Sequence, residues 1–215
     1  MSDRIIGCLK GIATGDAIGK QTEMLSRRKV REWYPNGVHG FEGTPGLAIP
    51  RHIMNAKHEW RIGDTTDDTE RTIAVARAIL KERRVSHSGV GREMLECRKS
   101  VHPGVRSLWE FHKANDPDRV AFEHDGCGAA IRVALIGLVF CPENLTGIVA
   151  GAREASISTH GGSYALAGAA ACAIVLSYAK IQPEKEALVR PSRHIASYQQ
   201  LDQGGRIRGP GIEAM

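Results

Sequence analysis

Leu145-Thr146-Gly147-Ile148-Val149-Ala150-Gly151-Ala152-Arg153-Glu154-Ala155-Ser156 puts Leu145, Ile148, Val149, Ala152, Ala155 and Ser156 at steps of three, one, three, three and one. That spacing gathers one face of an α-helix and fits no strand alternation. The same period recurs on both sides of this stretch. The following run, Ser163 to Ala179, is small and apolar nearly all round, which predicts a deeply buried helix. The preceding run, Gly128 to Phe140, carries Leu135, Leu138 and Val139 and is closed by Pro142.

Further out, residues 88–115 predict one or two shorter helices broken around Pro103-Gly104. A helix starting near Thr65 or Thr66 carries Ile73, Ala76 and Leu80. The first helix, capped by Ser2 or Asp3, carries Ile5, Leu9 and Ile12 on one side. Gly7, Gly11, Gly15 and Gly19 form a stripe on another side, at about 1 kcal/mol of lost helix propensity each. Such a stripe makes sense where a second backbone or a ligand comes close. Residues 35–63, rich in Gly and Pro, read as a long loop. No strand alternation is found anywhere. The fold class is therefore all-α, a compact orthogonal helical bundle, with a single domain over residues 1–180. From Pro183 the apolar period is lost, and residues 181–215 are expected to form a poorly ordered tail.

The length of 215 residues allows a core that needs no staples. Aromatics make up only 5% while Gly reaches 24 residues, so the core must rely on close backbone packing. Five cysteines in no Cys-x-x-Cys pair suggest neither a disulfide framework nor a zinc ribbon. The net charge of +5 is a weak pull toward an anionic ligand. The cations are scattered and lack an aromatic platform, so no nucleic-acid partner is expected. The start Met1-Ser2-Asp3-Arg4 shows no leader, and the longest uncharged run, 161–179, is mostly Ala and Gly. The expectation is a cytoplasmic chain without a membrane partner, a monomer or weak dimer.

Four segments carry candidate chemistry. The densest is Gly63-Asp64-Thr65-Thr66-Asp67-Asp68-Thr69-Glu70, with four carboxylates and three hydroxyls in eight residues. It reads either as a capping box at a helix start or as an all-oxygen cluster for Mg²⁺, Mn²⁺ or Ca²⁺. Asp16 follows the glycine stripe, with Glu23 close behind. A carboxylate at a helix C-terminus is electrostatically unfavourable, so it is either solvated or offset by a cation or a donor-rich ligand. Asp125-Gly126-Cys127-Gly128 opens a helix without a preceding strand, which excludes a Rossmann turn; it is either a plain helix entry or a set of N–H groups for a phosphate. Ser158-Thr159-His160-Gly161-Gly162 opens the Ala-rich helix, as a turn with a cap or with a histidine donor to a ligand.

Taken in this order, the four segments resemble the ADP-ribosylglycohydrolases of the dinitrogenase reductase-activating glycohydrolase type. The shared motifs are Gly-Asp-Ala-x-Gly with a following Glu, at Gly15 to Glu23; Thr-Asp-Asp-Thr, at Thr66 to Thr69; Gly-Asn-Gly-x-x-Met-Arg, met here as Gly126 to Arg132; and the Thr159-His160 turn. The resemblance spans roughly residues 3–180. Cys127 stands where the family has Asn, and Ile131 where it has Met.

The resemblance implies a metal-dependent hydrolase that removes ADP-ribose from a modified protein side chain or small molecule, cleaving at the distal ribose. It implies Thr66, Asp67 and Asp68 as metal ligands, Glu23, Asp67 and Asp16 in catalysis, and Asp125, Gly126, Cys127, Gly128, His160 and Gly161 in substrate binding. The family uses two Mg²⁺ or Mn²⁺ ions and supplies further ligands from a C-terminal Asp-x-Asp-Thr or Asp-x-Asp-Ser. After Ala179 the sequence offers Glu184, Glu186, Asp202 and Glu213 and no such motif. The expectation is a member with its C-terminal part missing, holding one ion or none. The alternative reading is a non-catalytic ADP-ribose-binding pseudoenzyme or a helical binding module.

Overall fold

The computed structural model describes residues 2–43 and 61–181. Every regular element among them is an α-helix: α1 (Ser2–Gly19), α2 (Arg27–Trp33), α3 (Asp67–Glu82), α4 (His87–Leu95), α5 (Arg106–Ala114), α6 (Gly128–Arg132), α7 (Ala134–Val139), α8 (Leu145–Glu154) and α9 (Ser163–Ile181). The all-α expectation holds. The helix starts carry their own caps. Ser26 accepts from the Lys29 amide, Ser86 from Gly89 and Asn144 from Gly147, each satisfying an N–H that the helix leaves open. α3 and α5 end on Arg83 and Asn115 in the left-handed conformation, φ 57° and 50°.

α9 is the post around which α6, α7 and α8 pack, while α3 joins α4 and α6 on the far side. The core between them is built from Val75 and Ala78 of α3, Val90 and Met94 of α4, Phe111 of α5, and Ile136, Ile148, Ala169 and Ala173. Burying each of the larger aliphatics contributes about 1.5–3 kcal/mol. The few-aromatics argument has a concrete form at α7 and α9. A Cβ on Gly137 would overlap the Ala173 carbonyl and crowd the Ser177 amide, so only glycine lets these two backbones meet.

Several elements differ from the sequence reading. Residues 128–140 are not one helix. They break at Val133, φ −88° and ψ 3°, into α6 and α7. The break lets Arg132 at the end of α6 reach the turn after α8, while Gly137 lies flat on α9. α2 lies inside a segment without a clear apolar period, and it presents no buried residue. α9 is less buried than expected: one third of it is inside, chiefly Ala165, Ala169, Ala173, Ile174, Ser177 and Lys180. Among the described residues it is the helix long and apolar enough to cross a membrane by length and composition. Lys180 ties its end to the bundle, with Nζ donating to the Leu138 and Phe140 carbonyls at 3.0 and 2.8 Å. A cation on the last carbonyls of α7 offsets that helix dipole. The middle of the expected 35–63 loop and the expected 181–215 tail lie outside the described residues, Ile181 apart.

Candidate active site

The acid-rich turn is first of all a helix start. Thr66 is the N-cap of α3, its hydroxyl accepting from the Asp68 amide at 3.2 Å. A second cap comes from another helix. Asp16 Oδ2 accepts from the Thr66 amide at 2.8 Å, the Thr69 amide at 3.1 Å and the Thr69 hydroxyl at 2.6 Å. The carboxylate that looked misplaced at the end of α1 is therefore offset by the positive end of α3. This is the donor-rich partner the sequence called for, supplied by the protein itself.

That junction creates a cavity of about 420 Å³. Gly11, Gly15 and Gly19 form one wall, and Asp16, Lys20, Glu23, Thr66 and Asp68 bring the polar groups. A Cβ added at Gly7, Gly11, Gly15 or Gly19 would meet nothing within 4 Å. The stripe therefore borders open space; no second backbone of the described residues lies against it.

Asp67 and Asp68 complete the cluster. Burial, then the charges of Asp67, Asp16 and Glu23, push the Asp68 carboxyl up from 3.8 to about 7, against a lowering pull from Lys20. Lys20 gave no signal in the sequence. Its side chain is 1% exposed, and its ammonium lies 2.5 Å from Glu23 Oε2. Asp64 and Glu70, the other two acids of the turn, are used by backbone. Asp64 accepts from the Arg61 amide, and Glu70 from the Arg98 and Lys99 amides. Neither the Asp67 nor the Asp68 carboxylate is hydrogen-bonded or ion-paired within the described residues. No three His, Cys, Asp or Glu side chains gather there into a metal-ligating group. Thr66, Asp67 and Asp68 bring hard oxygen donors of the kind Mg²⁺ and Mn²⁺ take.

A second group of the expected residues lies on α6 and the turn before α9. His160 packs on the glycine turn: a Cβ at Gly128 would lie 2.8 Å from His160 Cε1, and one at Gly126 would lie 3.2 Å from Nε2. The buried Arg132 guanidinium donates to the Ala155 and Ser156 carbonyls and to Thr159 Oγ1 at 2.7 Å. Thr159 Oγ1 lies 2.8 Å from His160 Nδ1. Arginine can only donate, and the fully buried Thr159 hydroxyl has no other acceptor among the described residues. Its proton therefore goes to Nδ1, and the ring carries its hydrogen on Nε2. Burial and then the Arg132 charge hold His160 down from 6.5 to about 3, so this donor is a neutral imidazole. Burial likewise lowers Arg132 to about 9.

The remaining expected residues have these places. Asp125 Oδ1 accepts from the Ala165 amide at 2.9 Å and so caps α9. Gly161 is needed for chain packing, because its amide donates to Ala121 O at 2.7 Å and a Cβ would meet that carbonyl at 2.6 Å. Cys127 is exposed at the start of α6. Ile131 of α6 lines the cavity, whereas Asp125, Gly126, Cys127, Gly128, His160 and Gly161 are not among its lining residues.

Comparison with known proteins places the fold in a family. The ADP-ribosylglycohydrolase family model matches residues 1–212. The chain is 29% identical to an uncharacterised protein of Archaeoglobus fulgidus over 94% of its own length and 64% of that protein's. It is 30% identical to the uncharacterised protein YegU of Escherichia coli, over 83% of its own length and 54% of YegU. A solved structure described as an ADP-ribosylglycohydrolase-related protein complex superposes with a TM-score of 0.68 at 25% identity, covering 96% of this chain and 63% of that one. The chain thus spans less than two thirds of the length of each of these relatives. With its helical order and a family match along nearly its whole length, the chain belongs to the ADP-ribosylglycohydrolase family.

Proposed function

We propose that the chain is a divalent-metal-dependent hydrolase that releases ADP-ribose from a modified protein side chain or small molecule by cleaving the glycosidic bond at the distal ribose. The observation that carries this is the cavity at the Asp16 to α3 junction, where Glu23, Thr66 and Asp68 face a floor of glycine backbone. Such a floor admits a flat sugar closely, and the acids supply acceptors for its hydroxyls. Thr66, Asp67 and Asp68 would hold Mg²⁺ or Mn²⁺, which when bound lowers the pKa of a coordinated water.

The chain's own groups have separable tasks. Asp16 fixes the angle between the glycine stripe and α3. Asp67, Asp68 and Glu23 place negative charge where a sugar carbon becomes positive during cleavage. The open N–H groups at Gly126 to Gly128 and the His160 Nε2–H, which also lies 3.4 Å from Ser107 Oγ, would form a donor end for the diphosphate. A neutral histidine suits this task because it donates without needing protonation.

A second reading is binding without turnover. It is favoured by Lys20 lying against Glu23 and by the Asp16 carboxylate being taken up by the α3 amides and the Thr69 hydroxyl. One experiment separates the readings. ADP-ribose release is assayed from arginine- and serine-linked ADP-ribosyl peptides with excess Mn²⁺ or Mg²⁺, and ADP-ribose binding is measured by calorimetry. Turnover lost in Asp67→Ala supports hydrolysis. Binding with no turnover supports the second reading. Neither binding nor turnover overturns both.

A further inference from the structure

Arg71 lies on α3 and is 3% exposed. A guanidinium is rarely taken out of water without a carboxylate beside it, because opposite charge has to offset the lost hydration. Among the described residues Arg71 makes no ion pair. It is held by two carbonyls instead: Nη2 donates to Lys99 O at 3.0 Å and Nη1 to Met94 O at 3.4 Å. Its Nε–H is buried without a partner.

Two more buried atoms of this region lack a partner, Ser100 Oγ and His112 Nε2. The Glu70 carboxylate accepts from the Arg98 and Lys99 amides, at 3.1 and 2.9 Å, and Arg71 reaches the Lys99 carbonyl. The stretch leading into Ser100 is therefore strapped onto this turn of α3. His112 of α5 feels the same groups. Burial, then the Arg71 and Arg98 charges, hold its ring down from 6.5 to about 4, against a raising pull from Glu70. Buried polar groups are nearly always paired, so orphans gathered in one region call for something that pairs them.

We propose that Arg71, Ser100 and His112 form a buried binding site for one small monovalent anion such as chloride. The site is independent of the metal reading, since it draws on none of Asp16, Glu23, Asp67 or Asp68.

Donor chemistry and charge select this ligand. Arginine can only donate, and a hydroxyl and a neutral imidazole each have one hydrogen to give. Three donors around one positive charge match an ion that accepts from all of them. The burial of all three atoms favours a single-atom ion over the four oxygens of phosphate or sulfate. A water could take the same hydrogen bonds, but it would leave the guanidinium without a counter-charge. Arg132 adds to the need. It is 1% exposed, and burial and then the Arg71 charge hold it down to about 9. Two buried guanidiniums thus repel each other, and an anion beside Arg71 relieves both.

The test is thermal unfolding of the full chain in sodium chloride against sodium gluconate at one ionic strength, gluconate being too large to enter. Chloride should raise the wild-type melting temperature saturably, by about 2–4 °C, as a ligand bound only by the folded state does. Bromide should act likewise, and bromide-soaked crystals should show an anomalous peak within hydrogen-bond distance of Arg71 Nε. Arg71→Met should lose the chloride shift. Ser100→Ala keeps the guanidinium and removes one donor, so it should need severalfold more chloride for the same shift. It decides the question if Arg71→Met fails to fold. No saturable difference between chloride and gluconate in the wild type overturns the site. An unchanged chloride dependence in folded Arg71→Met or in Ser100→Ala does the same, as does a water at Arg71 Nε with no bromide peak.

Discussion

Asp16 and Thr69, 53 residues apart, are joined twice: Asp16 Oδ2 accepts from both the amide and the hydroxyl of Thr69, at 3.1 and 2.6 Å. With the Thr66 amide this makes three donors on one oxygen. Asp16→Ala would leave two helix-start amides and a hydroxyl without their acceptor. A lost cap and the unpaired donors together should cost about 2–3 kcal/mol of stability. Asp16→Asn keeps an acceptor and should cost about half as much. Urea unfolding followed by circular dichroism measures both, and an unchanged midpoint in Asp16→Ala would show that the junction does not hold the fold.

Asp68 makes a prediction about pH. Its carboxyl sits above its unfolded value, 3.8 against about 7, so the folded chain binds the extra proton between these limits. Stability from this group is therefore lost as pH rises from about 4 to about 7, and the penalty persists above. Asp68→Asn should raise the melting temperature at pH 8 in the presence of a chelator and leave it nearly unchanged at pH 4. Added Mn²⁺ should stabilise the wild type at pH 8 and not Asp68→Asn, because a ligand that binds only the folded state shifts the equilibrium toward it.

His160 runs the opposite way. Its folded value of about 3 lies below the unfolded 6.5, so the unfolded chain takes up the proton first as pH falls. The group costs stability progressively from about pH 6.5 down to about 3. Nitrogen-detected NMR of the histidine rings should show His160 as an Nε2–H tautomer that does not titrate between pH 5 and 8. Thr159→Val removes the acceptor-to-donor link and should release that tautomer. Normal titration of His160 in the wild type would refute the Arg132 to Thr159 to His160 chain.

Gly15 separates stability from binding. Alanine there meets no neighbour and removes a glycine from a helix interior, which should stabilise by about 0.5–1 kcal/mol. The new methyl enters the cavity wall and should weaken ADP-ribose binding at least about tenfold if the stripe is the sugar floor. Gly137→Ala is the contrast: the methyl overlaps the Ala173 carbonyl, and overpacking of this kind costs about 1–3 kcal/mol. Thermal melts and ADP-ribose calorimetry on the two variants read these signs, and equal behaviour would count against the cavity assignment.

The sequence alone determined much of this protein, because helical period, cap chemistry and glycine spacing are local. The steps through 145–156, the break at Pro103-Gly104 and the start of α3 at Thr66 need only neighbours within a turn or two. The four motif segments were also legible as residues, in order, through their resemblance to the family that the whole-chain match then established. Only the tertiary structure decided how these residues are used. Asp16 reads as a lone acid until α3 supplies its amides from 50 residues away. Asp125 reads as part of a phosphate turn until the Ala165 amide takes its oxygen. Lys20 gives no signal in the sequence, yet its side chain is buried against Glu23. α9 is nearly uniform around its axis, so its period could not show which side turns inward. In each case the deciding partner is distant in the chain, and a hydrogen bond or ion pair between distant residues leaves no periodic trace in the sequence.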